Sequence, residues 1–176
     1  MKLLLENWRQ YLNEKKEDDF VWHGSPTKFD GPVKPSQARD VGGHTEQNLK
    51  AVYATEDKNL AIAAGLVERD DDGNWPMVFT DANEKPTQMV VIKGKIREGK
   101  KVYLYKLTKD TFRNTGVPEG NPEWVSEIPA NPVEVEEVSV DDHLHLIRKA
   151  TPEDIEFWNK HAPEEERVQS EDDHEA

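Results

Sequence analysis

Apolar positions recur along this chain with two periods, one of the helical turn and one of strict alternation, and the change of period marks its elements. Leu4, Leu5, Trp8, Tyr11 and Leu12 fall on one face at helical spacing, with Glu6, Arg9, Gln10 and Asn13 opposite. Residues 2–14 are therefore expected to form an amphipathic helix, and Glu14 to Asp19 a charged linker. Such a helix either packs on the domain or docks a partner. Val21-Trp22-His23-Gly24-Ser25-Pro26 reads as a buried strand, closed by a proline that stops regular pairing. The Gly and Pro density from Phe29 to Gly43 marks a long irregular segment, and His44 reads as a solvated loop histidine.

Ala51 to Ala54 is a short apolar strand. Thr55 is expected to cap a helix, with Glu56 and Asp57 in its first turn and Asn59 to Val67 as its Ala-rich body. The small residues of that helix let it lie close to a sheet. Trp75 to Thr80 reads as a strand or a lid, and Gln88 to Ile96 and Lys101 to Leu107 as strands. Glu123 to Ser126 and Val133 to Val138 read likewise, the latter with one wet, acidic face. Thr151-Pro152-Glu153-Asp154 starts a helix, with Thr151 as cap and Pro152 at the first position. Ile155 and Trp158 supply its inward side, and Pro163 ends it.

The 176 residues suffice for one domain with a real core, expected over 20–162, between the N-terminal segment 1–19 and the tail 163–176. That tail is mostly acidic, with little to bury, so disorder is expected there. Lysine and arginine total 23 against 36 acids, a formal charge of -13. Phosphate backbones and anionic lipid repel such a chain, which argues against general nucleic-acid binding. The absence of cysteine removes disulfide and thiolate chemistry and fits a reducing compartment. No apolar run approaches a membrane span, and Glu6 and Trp8-Arg9 interrupt the leucines that would otherwise suggest a secretory signal. A cytoplasmic location is expected.

The end of the first strand carries the candidate chemistry. There the His23 imidazole, the Gly24 backbone and the Ser25 hydroxyl can face a small polar ligand, because a residue without Cβ admits a flat ring close to the backbone. The same residues also describe a core strand ending in a turn, with His23 bonded to a neighbour. The acidic turn Asp70 to Gly73 lacks EF-hand spacing and reads as solvated. His143 and His145 would share a face if 141–146 were a strand, but the further ligands of a metal site are missing. No metal is expected.

Trp22-His23-Gly24-Ser25, then Val52-Tyr53-Ala54 with its small-residue helix, then Asn121-Pro122-Glu123-Trp124-Val125 resemble, in this order, three motifs of the ADP-ribosyltransferase superfamily. The branch is the His-Tyr-Glu one, that of poly(ADP-ribose) polymerase catalytic domains. Met89 to Tyr103 resembles the family's central hairpin, and the likeness covers residues 20 to 140. Rifampin ADP-ribosyltransferases and tRNA 2′-phosphotransferases show a similar order. Arg39, Arg69, Arg97 and Arg113 do not fall at the motifs of the phosphotransferases, so removal of a tRNA 2′-phosphate is a poor candidate. Glu127 stands close enough to Glu123 to compete for the third motif.

The resemblance implies an α+β fold, a split β-sandwich of two small antiparallel sheets with a few peripheral helices and an NAD cleft between the sheets. It implies that His23 bonds a ribose hydroxyl and that Gly24 holds the nicotinamide amide, with Ser25 adding a hydroxyl. Tyr53 would stack on the nicotinamide, and Glu123 would bind the ribose and stabilise the charge that develops as nicotinamide leaves. The implied activity is mono-ADP-ribosyl transfer from NAD to an acceptor, a protein foremost. Its alternatives are an NAD glycohydrolase and a non-catalytic interaction or virion-associated module. The opening Leu4-Leu5-Glu6-Asn7-Trp8 resembles the starts of tailed-phage proteins, which would place the protein in a host cytoplasm.

Overall fold

The computed structural model describes residues 19–38, 48–68, 77–79, 89–92, 94–116, 123–161, 164 and 167. The expected N-terminal helix, His44, the acidic turn at Asp70, Pro163 and nearly all of the acidic tail lie outside the described residues.

The strands in chain order are β1 (Phe20–Ser25), β2 (Ser36–Gln37) and β3 (Lys50–Thr55), followed by helix α1 (Lys58–Leu66). Then come β4 (Val67–Glu68), β5 (Met77–Phe79), β6 (Met89–Val91), β7 (Lys95–Ile96), β8 (Lys101–Thr108) and β9 (Arg113–Asn114). β10 (Glu123–Ser126), β11 (Pro132–Ser139), β12 (Ile147–Lys149) and helix α2 (Pro152–His161) complete the described elements. This is a mixed α+β fold with mostly antiparallel strands and few helices. One seven-stranded sheet dominates, in the order β11-β8-β1-β3-β10-β9 with β2 on β3. A three-stranded sheet, β12-β6-β5, contains a parallel pair, β12 with β6. β4 and β7 pair separately.

Alternation along β8 separates two cores. Val102 and Leu104 face α1, where they join Ala61, Ile62, Leu66, Val138 and Val140. Tyr105 and Leu107 face the other way, joining Val21, Val33, Val52, Ala54 and Phe112. Each buried Val, Leu, Ile or Phe among them contributes roughly 1.5–3 kcal/mol by leaving water. The small residues of α1 serve close packing as expected. A Cβ on Gly24 of β1 would come within 1.8 Å of the Ala61 carbonyl oxygen.

Four local readings need correction. The cap of α1 is Asp57, whose Oδ1 accepts from Asn59 N at 2.9 Å and Leu60 N at 3.3 Å. Thr55 stays in the sheet, opposite both Trp22 and Glu123, and its hydroxyl accepts from Asp57 N, so the helix starts two residues later. Gly94, at φ 112°, lies between β6 and β7 where one strand was expected. Asp141–Leu146 is a 3-10 helix, so the strand on which His143 and His145 would have shared a face does not form, and His143 Nδ1 lies 3.0 Å from the Ser139 carbonyl. β11 shifts register between Pro132 and Glu134, and Val135 is left 44% exposed rather than inside.

α2 begins as expected. Thr151 Oγ1 accepts from Asp154 N at 3.3 Å, while Asp154 Oδ2 accepts from Thr151 N at 2.8 Å, a reciprocal capping box. Arg148 of β12 clasps the same carboxylate at 2.5 and 3.1 Å, which ties α2 to the three-stranded sheet.

Candidate functional site

The strands that carry His23, Tyr53 and Glu123 are β1, β3 and β10, and they are consecutive neighbours in the main sheet. β1 pairs with β8 along its whole length, from Phe20 opposite Thr108 to Ser25 opposite Tyr103. With β3 it shares one register pair, Trp22 opposite Thr55. No further register pair links the two strands beyond it. There the His23 side chain links them, with Nδ1 2.7 Å from the Tyr53 carbonyl oxygen.

A carbonyl oxygen only accepts, so Nδ1 carries the proton. Burial pushes the imidazole below its ordinary pKa, outweighing the opposing pull of the Tyr53 carbonyl. His23 is therefore neutral near pH 7, and Nε2 keeps a lone pair that can accept a hydrogen bond. His23 also has an aromatic surround. Tyr105, opposite it on β8, lies 6.1 Å away between ring centroids, and Phe29 lies 6.4 Å away. Phe29 stacks on Tyr105 at 5.3 Å, and its N–H donates to the Tyr105 hydroxyl at 2.6 Å. Burial raises the Tyr105 pKa, so the phenol stays protonated and its hydroxyl also reaches the Thr27 carbonyl at 3.3 Å.

Register then sorts the side chains by face. Directly opposed residues of antiparallel strands share a face. Trp22, Thr55 and Glu123 form one row across β1, β3 and β10, on the α1 side, and Tyr53 shares that side two residues along β3. His23 and Ser25 point to the opposite side, with Val21 and Tyr105. The sheet thus brings Tyr53 and Glu123 to one face, and His23 joins them through the Tyr53 backbone.

The remaining groups are already engaged. The Tyr53 hydroxyl turns back along its own chain, accepting from Leu49 N at 2.8 Å and donating to Leu49 O at 2.9 Å. Ser25 is buried, and its hydroxyl accepts from Thr27 N at 3.1 Å. The space beside Gly24 on the α1 side is filled by the Ala61 carbonyl. Glu123 is half-buried at the head of β10, with Oε1 shielded from solvent. Glu127 lies past the strand, exposed, 3.6 Å from Arg113 Nη2.

Sequence reasoning missed the company of Trp22. Lys58 of α1 sits 4.8 Å from its ring centroid and Lys106 of β8 5.4 Å, and Lys58 also pairs with Glu136 at 2.5 Å. The aromatic cover of His23 was missed too. Phe29 and Tyr105 were visible as a loop residue and a strand residue, but nothing local joins positions 29 and 105. Among the described residues, no three His, Asp or Glu side chains are arranged to hold a metal ion, and no helix is long and apolar enough to cross a membrane. No family model, curated protein or solved structure matches this chain.

Proposed function

We propose that the protein is an NAD-dependent mono-ADP-ribosyltransferase whose site lies at the end of β1, beside β3. The observation that carries this reading is the adjacency of the three motif strands, with His23 bonded to the Tyr53 backbone. The neutral His23 presents Nε2 as an acceptor for a ribose hydroxyl. The Gly24 backbone would meet the nicotinamide amide along the strand edge, because the Ala61 carbonyl closes the α1 side. Tyr53 would offer its ring, since its hydroxyl is held by Leu49. Ser25 would contribute the proton of its hydroxyl.

Breaking the bond between C1′ and the nicotinamide nitrogen builds an oxocarbenium-like ribose. Nicotinamide leaves neutral, so no acid is needed. A fixed carboxylate near the anomeric carbon lowers the barrier, and Glu123, seated in the sheet beside Thr55, suits that role better than the exposed Glu127. The acceptor nucleophile then bonds to C1′ and releases its proton to solvent.

The test is nicotinamide release from labelled NAD in the presence of a host lysate. Glu123→Gln should slow release about 100-fold or more, the scale of losing one preorganised electrostatic group. Glu127→Gln should change it little. Equal rates for Glu123→Gln and the parent would remove the reading, and release without labelled product would mean water is the acceptor. A non-catalytic module on the same framework is the second reading. It is favoured by the opposite facing of His23 relative to Tyr53 and Glu123. It expects no turnover at all.

A further inference from the structure

The loop between β1 and β2 is tied to the rest of the fold at two points. Phe29 N donates to the Tyr105 hydroxyl at 2.6 Å, and Val33 exchanges backbone hydrogen bonds with Ala130 at 2.9 and 3.0 Å. Asp30, Gly31 and Pro32 cross between those ties, and Asp30 and Gly31 are exposed. Among the described residues, no hydrogen bond or ion pair engages the Asp30 carboxylate or the Gly31 N–H. Asp57, Asp141 and Asp154, by contrast, each accept from a backbone N–H. Gly31 has φ 99°, and a Cβ built there would meet nothing within 4 Å. Its nitrogen is therefore flanked by open space and by no side chain of its own.

A free aspartate side chain followed by an unhindered glycine amide is the reactant pair of cyclic imide formation. The Gly31 nitrogen bonds to Asp30 Cγ, and the carboxyl hydroxyl leaves with the amide proton as water. Water then reopens the ring. Opening at Cγ restores aspartate, while opening at the Asp30 main-chain carbonyl leaves the chain running through Cβ and Cγ. The water taken up replaces the water lost, so no oxidant, cofactor or enzyme is required.

We propose that Asp30–Gly31 is a site of spontaneous isoaspartate formation, and that the isomer releases the loop from one of its two ties. Isomerisation puts one more main-chain atom between Phe29 and Val33, about 1.5 Å of added contour. Pro32, with φ fixed by its ring, leaves little room to absorb it. The Phe29–Tyr105 bond or the Val33–Ala130 bridge then yields. Phe29 flanks His23, so the surround of that imidazole changes as the chain ages. The reaction is independent of NAD.

The test ages the full chain at neutral pH and body temperature and maps its tryptic peptides. Isoaspartate is read with an isoaspartyl methyltransferase and a labelled methyl donor. The other Asp-Gly step of the sequence, Asp72–Gly73, falls on a separate peptide. Asp30 should convert at a rate within about tenfold of that in a free peptide of residues 27–33. Asp30→Glu should remove the label from its peptide at an unchanged melting temperature. In the separated isomer, amide exchange should quicken at least tenfold at Phe29, or at Val33 and Ala130. Slower conversion in the folded chain, or label retained in Asp30→Glu, would overturn the site. Unchanged exchange at all three amides would overturn the release of the loop.

Discussion

Gly24→Ala separates two explanations for one glycine. In the first, Gly24 is there because α1 lies against β1; in the second, because a ligand ring approaches the strand. The added Cβ would sit 1.8 Å from the Ala61 carbonyl oxygen and 2.7 Å from its carbon. Ordinary contact begins at 3.4 Å, so the helix backbone must retreat by about 1.6 Å. An extra methyl in a packed core costs about 1–3 kcal/mol when neighbours can yield. Here the obstacle is main chain, and the retreat would loosen Ala61, Ile62 and Leu66 together. We expect a loss of at least ~3 kcal/mol, seen as a fall of roughly 6–12 °C in Tm.

Urea and thermal melts followed by circular dichroism measure the loss. Gly65→Ala is the internal comparison. Its Cβ would meet Val102 Cγ1 at 2.5 Å and Cγ2 at 3.1 Å, on a buried β-branched side chain with little freedom, while the helix gains about 0.8–1 kcal/mol in propensity. It should therefore also destabilise, but less than Gly24→Ala, because the clash there is closer and with main chain. A Gly24→Ala protein within about 0.5 kcal/mol of the parent would refute the seating of α1 on β1. If that stable variant had also lost NAD binding, the glycine would belong to the ligand.

Two further outcomes concern protonation and capping. Above the ordinary value of 6.5 His23 is neutral in both states; below it the unfolded chain gains a proton that burial denies the fold, so stability should fall from pH 7 to pH 5 until the lowered folded value is passed. His23→Gln, which can still donate to the Tyr53 carbonyl, should flatten that limb in melts at a series of pH values. Asp154→Ala removes the acceptor shared by Arg148 and Thr151 and should cost about 1–3 kcal/mol, with faster amide exchange over 152–161. Arg148 beside Asp154 holds its carboxyl well below the usual range, so this stabilisation is complete above 3.8 and fades only as pH falls toward the lowered folded value. The parent and the variant should therefore differ equally at pH 5 and pH 8.

What could be read from the chain alone was whatever neighbours along it decide. Short apolar runs at Val21-Trp22 and Ala51 to Ala54 marked strands that exist, and the Ala-rich run after Asp57 marked α1. Thr151-Pro152 announced the start of α2, because a cap is chemistry within one turn. The tertiary structure alone decided that β1, β3 and β10 are neighbours and that Trp22 and Thr55 are the register pair of β1 and β3. It also set His23 on the face opposite Tyr53 and Glu123, kept Thr55 in the sheet so that Asp57 became the cap, and gave Gly24 a helix carbonyl to accommodate. These features rest on contacts between residues many positions apart. Local propensity ranks conformations one turn or one strand at a time, whereas pairing, facing and close approach are fixed by the packing of all the elements together.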